Sequence, residues 1–129
     1  MSAVLNKLMK KYYSLYASID DFTNKVAMTS FHDKDFTKKD LNTIVFYTEV
    51  IKLRMEYLDE DDFSICFTSK TVLGDENGIT FQQFLKGAEA VRSMAAYEGD
   101  LNHNFLEDVV EYTREDGESV PTYELEFGS

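Results

Sequence analysis

At 129 residues with 43% apolar and 14% aromatic side chains, the chain is too apolar for disorder and too short for two large cores, so one domain spanning 1–129 is expected. A net charge of -11 argues against binding free nucleic acid, because an acidic field repels phosphates and steers toward basic surfaces. The lone Cys66 excludes an internal disulfide, and no apolar run approaches the roughly 18 residues of a membrane helix, so a soluble, intracellular (cytoplasmic) protein with no membrane association is expected.

Residues 2–28 lack Gly and Pro and place Leu5, Leu8, Tyr12, Leu15, Ile19, Phe22 and Val26 at alternating spacings of three and four, which predicts a helix of about seven turns. The stretch SFHDKDF, 30–36, breaks that period with polar residues, and Thr37 with Asp40 resembles a helix N-cap. A second helix over 38–58 follows, completing a long N-terminal helical hairpin. It carries two apolar faces, one of them Phe46, Val50, Leu53 and Tyr57. The rival reading of this segment is a strand, because IKLRMEY alternates strictly and is rich in strand-forming residues.

Residues 63–73 alternate Phe63, Ile65 and Phe67 against Ser64, Cys66 and Thr68, a half-buried strand ending at the turn GDENG. Thr80 and Gln83 form a capping box opening a helix over 81–98, stopped by Gly99, with Gly87 inside it marking a close approach to a neighbour. Leu101, Phe105, Val109 and Tyr112 predict a fourth helix over 101–113. The tail SVPTYELEF reads as a strand, with Pro121 pointing to a sheet edge, and the closing EFGS also reads as a translated cloning junction. The expected fold class is therefore α+β, mostly α: four helices beside a small antiparallel sheet.

Catalytic chemistry finds little support. Counting back from Gly78 puts Leu73 and Phe84 where a calcium loop needs Asp and Glu, and no convincing Glu-x-Lys follows Asp62 as a magnesium nuclease would require. Cys66 has only His32 and His103 as conceivable partners, these spacings make no zinc site, and no glycine-rich phosphate loop is present. No enzyme, cofactor or metal is expected.

What stands out is the placement of acid. Residues 1–54 hold nine Lys and Arg against six Asp and Glu, whereas residues 55–129 hold four against eighteen. Glu107, Asp108, Glu111 and Glu115 would crowd one helix face, where like charges four apart cost about 0.2–0.5 kcal/mol per pair. Glu124 and Glu126 would stand about 6.6 Å apart on a strand, comparable to neighbouring phosphates. Asp59, Glu60, Asp61 and Asp62 would oppose the dipole of the helix they follow. Solubility is one explanation and a functional face the other.

The functional alternative is a carboxylate-rich face that docks on a basic protein, a nucleic-acid-binding one included, with Tyr112 and Tyr123 as aromatic anchors. Size and charge fit nucleic-acid mimics such as phage counter-defence or immunity proteins, an analogy of composition with no motif behind it. The other expectation is an assembly protein that homodimerises through its N-terminal helices, using Phe46, Val50, Leu53 and Tyr57.

Overall fold

A computed structural model describes residues 2–20, 22–23, 25–30, 35–59, 61–112 and 120–128. Its elements in chain order are α1 (Ala3–Lys11), β1 (Leu15–Ile19), β2 (Val26–Ser30), α2 (Lys38–Leu41), β3 (Ile44–Phe46), β4 (Val50–Leu58), β5 (Ile65–Leu73), β6 (Ile79–Thr80), α3 (Phe81–Tyr97), β7 (Phe105–Tyr112) and β8 (Thr122–Gly128). Strands hold 44% of the described residues and helices 27%. The chain is thus mainly β, which overturns the mostly α, four-helix expectation.

Three expected helices fail for identifiable reasons. The first begins as expected, with the Ser2 hydroxyl accepting from the Leu5 N–H at 3.1 Å, but stops at Lys11 because Tyr13 and Ser14 take positive φ of 60° and 98°. Downstream, Asp20 Oδ1 accepts from Phe22 N at 2.8 Å and Thr23 N at 3.3 Å, turning β1 back onto β2. The second expected helix survives only as α2, capped by Thr37, whose hydroxyl accepts from Asp40 N. Its remainder becomes β3 and β4, the strand reading of IKLRMEY. Residues 105–112 of the fourth expected helix form β7.

The third helix forms as read. Thr80 and Gln83 make a reciprocal capping box, and Phe81, Phe84, Ala88, Val91 and Ala95 are buried along α3.

Six strands form one curled mixed sheet in the order β2-β1-β7-β8-β4-β5, and β3 pairs with β6 separately. The tail strand is central, correcting the edge placement: β8 runs antiparallel to β7 and parallel to β4. Pro121 lies just before β8, and its carbonyl accepts from Lys52 N at 2.9 Å. Nor does β5 pair with the tail, since β4 lies between them.

The sheet's inner face carries Leu15, Ala17, Met28, Ile51, Leu53, Met55, Val72, Leu106, Val109 and Leu125, all buried with α3 in one core. Gly87 faces Val72 and Leu53, so a Cβ there would collide with Val72 Cγ2. The close approach expected at this glycine is a helix laid on a sheet.

Beside this core, Tyr12 is fully buried and packs edge-on against Phe36 at 4.7 Å. Asp40 Oδ2 accepts from the Tyr12 hydroxyl at 2.5 Å and from Lys11 Nζ at 2.6 Å, tying α1 to α2. Those two bonds, to Lys11 first and Tyr12 second, hold the Asp40 carboxyl below its ordinary 3.8.

Gly87→Ala should gain about 1 kcal/mol of helix propensity but lose more to overpacking, which typically costs about 1–3 kcal/mol, giving a net loss of stability in urea unfolding. In a Val72→Ala background the same change should cost less. Asp40→Asn should destabilise by about 1–3 kcal/mol at neutral pH. Because the folded value is depressed, this contribution is present above 3.8 and lost as pH falls through the lower folded value. The stability gap between wild type and variant should therefore narrow below about pH 4; a gap independent of pH would contradict this role for Asp40.

Candidate functional site

The outer face of the large sheet, opposite α3, gathers five acids. Register places Asp108 directly across from Glu126 on β7 and β8, and sets Glu124 beside Arg54 of β4. A shift in register between Leu106 and Asp108 makes a bulge at Glu107. That bulge lets the Glu107 carboxylate lie over Gly128, where a Cβ would collide with it. Glu56 completes the group, two residues along β4 from Arg54.

Arg54 is the cation at the centre. Its Nη2 donates to Glu56 Oε1 at 3.0 Å, while its Nε lies 3.4 Å from Glu124 Oε2, an ion pair without a hydrogen bond. The guanidinium is held between two rings, 4.1 Å from the Tyr112 centroid and 4.6 Å from that of Phe67. Each such contact is worth about 0.5–2 kcal/mol, and together they leave the Arg54 side chain only 10% exposed on a face with no helix over it.

Arg54 and Lys52, two residues apart on the same face of β4, do not balance five acids. Partial burial raises the Glu124 carboxyl above its ordinary 4.5, Glu56 raises it further, and Arg54 opposes the rise while Glu126 adds to it. Like charges directly opposite across an antiparallel pair, as Asp108 and Glu126 are, weaken a sheet. Asp108 also spends one oxygen locally, Oδ1 accepting from Val109 N at 2.8 Å.

The remaining expected contact residues are dispersed. Glu111 pairs with Tyr123 and points to the opposite side of β7, where it reinforces the upward shift that burial gives the Tyr123 hydroxyl. Tyr123 packs against Phe46 with centroids 4.7 Å apart, so of the two expected anchors only Tyr112 is on the acidic face. Glu115 and Glu60 lie outside the described residues.

Asp59, Asp61 and Asp62 sit in the connection between β4 and β5, and two of them build it. Asp59 Oδ1 accepts from Asp61 N at 2.9 Å, and Asp62 Oδ1 accepts from Ser64 N and Oγ at 2.9 and 2.6 Å. The Ser64 bonds also lower the Asp62 carboxyl from its ordinary 3.8. In a turn, this is the work for which Asp is selected.

The residues expected at a helical dimer interface belong largely to the chain's own interior. Phe46 is 5% and Leu53 0% exposed, while Val50 and Tyr57 are half-buried. His32 is outside the described residues, and His103 Nδ1 lies 2.9 Å from Asp100 Oδ1. Among the described residues no group of three or more His, Cys, Asp or Glu is placed to hold a metal ion, and no helix is long and apolar enough to cross a membrane.

Arg54, Glu56 and Phe67 were not singled out in the sequence. The signal was present: with IKLRMEY as a strand, Lys52, Arg54 and Glu56 share a face by alternation. Comparison with protein-family models, with curated proteins and with solved structures returns no match.

Glu126→Gln removes one member of the like-charge pair and should raise stability by about 0.2–1 kcal/mol at low salt. It should also lower the Glu124 titration toward 4.5 in an NMR pH series, since Glu126 is one of the groups raising it. An unchanged Glu124 titration would mean the two carboxylates do not feel each other.

Proposed function

We propose that this chain is a small non-enzymatic binding protein whose outer sheet face docks on a basic surface of another protein, inhibiting or recruiting it. The observation that carries the reading is the Asp108–Glu126 pair, like charges set directly opposite, with Glu107 brought to the same face by a bulge. Local stability disfavours that arrangement, and a cationic partner would reverse its sign.

The chemistry of the face fits a protein partner better than a small ligand. Carboxylates stand around an aromatic-flanked Arg54 on an open sheet, so both charge and apolar ring surface are offered. Glu124, already shifted upward, would return toward the ionised form on meeting a Lys or Arg, coupling binding to proton release under mildly acidic conditions. A nucleic-acid-binding enzyme is the partner class whose surface offers cations at matching spacing.

Replacing Glu107, Asp108 and Glu126 together with Lys tests this. Wild type immobilised on beads should capture a basic protein from a lysate of the source cells at about 50 mM salt and release it at about 300 mM, as screening shortens the reach of exposed charges. The triple variant should fold, by circular dichroism and melting temperature, and capture nothing salt-sensitive. The same bound protein on the folded variant would remove the face from consideration.

A further inference from the structure

We propose that the free edge of β5 is a docking site for a second copy of this chain, paired antiparallel about a two-fold axis at Ser69 so that two sheets become one. This does not rest on the acidic face being a binding surface.

Edge strands present unpaired backbone groups, and folded proteins ordinarily blunt them. The two edges of this sheet are treated differently. On β2, the Met28 N–H donates to Glu89 Oε1 of α3 at 3.0 Å, so a side chain occupies that edge. By contrast β5 is nine residues long, pairs with β4 without a shift in register, and contains no Pro, Gly or acid. In a chain of net charge -11, its only charge is Lys70.

Hydrogen bonds at both ends of the hairpin show which groups face outward. Asp59 N donates to Ser64 O, and Gly74 N donates to Glu49 O. Alternation from those pairs assigns residues 64, 66, 68, 70, 72 and 74 to bonds with β4. The N–H and C=O groups of Ile65, Phe67, Ser69, Thr71 and Leu73 therefore point away from the sheet, with no partner among the described residues.

A two-fold axis at Ser69 pairs all of them. Ser69 meets Ser69 of the second copy, Phe67 meets Thr71, and Ile65 meets Leu73, for about ten intermolecular backbone bonds in the antiparallel pattern. The same register joins exposed apolar side chains, since Ile65 is 73% and Leu73 69% exposed in the single chain.

Backbone register and the apolar pair Ile65–Leu73, rather than net charge, select the second copy. The Leu73 end of the edge is mixed, with Lys70 and Lys86 lining one groove beside β5 and Glu49, Asp75 and Glu76 close by. The Ile65 end is acidic, with Asp61 and Asp62 of the turn and, along a second groove with Phe67 and Tyr97, Glu98 at the C-cap of α3. The two Lys70 side chains lie diagonally across the axis, which keeps the pair reversible.

Sedimentation equilibrium of the full chain, up to about 200 µM, is the test. The expected result is a mass approaching two 14.9 kDa chains at about 300 mM salt, where repulsion between exposed acids is screened. Ser69→Pro should return a monomer with an unchanged circular dichroism spectrum, because its outward N–H serves no bond to β4. Should that variant misfold, Ile65→Lys at its exposed position should also give a monomer, and Ile65→Lys with Leu73→Asp should restore the dimer by placing opposite charges across the axis. A wild type that stays monomeric, a dimer that survives Ser69→Pro or Ile65→Lys, or a double variant that remains monomeric each overturns the proposal.

Discussion

The sheet depends on β8 bonding on both of its sides. Remove that strand and the order β2-β1-β7-β8-β4-β5 separates into a three-stranded piece and a two-stranded hairpin, joined only through α3 and the remaining core. Its residues alternate to match: Leu125 is buried against the core, with Tyr123 and Phe127 packed beside it, while Glu124 and Glu126 point outward. A parallel bond on one side and an antiparallel bond on the other make it the place where two otherwise local structures become one. The outer face inherits its character from this arrangement, because β8 brings acids from the tail beside Arg54 of β4 and Asp108 of β7.

Packing and charge pull in opposite directions there. Arg54 is nearly inaccessible between Phe67 and Tyr112, which no exposed lysine would be, and it is the flat, delocalised guanidinium that permits stacking on both sides. The acids around it outnumber it, and Glu124, raised first by partial burial, is raised further by Glu56 and Glu126. The acids of the β4–β5 turn behave otherwise. Asp62 is lowered by Ser64, and its carboxylate is engaged in shaping the chain. Acidity alone therefore does not distinguish residues that build the fold from residues left facing outward.

How far the sequence could be read follows from the same geometry. The capping box at Thr80 and Gln83 is local chemistry, and α3 forms where it says. The strands at 63–73 and in the tail have strict alternation, and both form. Two failures trace to spacing: Leu15 and Ile19 are four residues apart, which fits a helix turn and every second position of a strand, and Phe105 and Val109, also four apart, are set on opposite faces of β7 by the bulge at Glu107. Gaps of three elsewhere tipped the balance toward helix, and the tertiary pairing that decides otherwise is invisible locally. Alternation of Lys52, Leu53, Arg54, Met55 and Glu56 was the stronger signal, since it fits only one period. The acidic face was half legible for that reason: Glu124 and Glu126 came from a correctly read strand, Glu107 and Asp108 from the wrong element, and Arg54 and Glu56 from a segment assigned to helix.

The central position of β8 also sets an order of events. It is the last described strand in the chain, yet it must enter between β7, its near neighbour, and β4, some seventy residues earlier. During synthesis the β4–β5 hairpin and the β1–β2 hairpin can close as soon as they emerge, but the slot between β4 and β7 stays open until β8 emerges. For that interval Leu53 and Val109 flank an unfilled gap, and any extended apolar segment is a competitor for it. Folding should accordingly be slow for a protein of this size, limited by a long-range parallel pairing rather than by its helices.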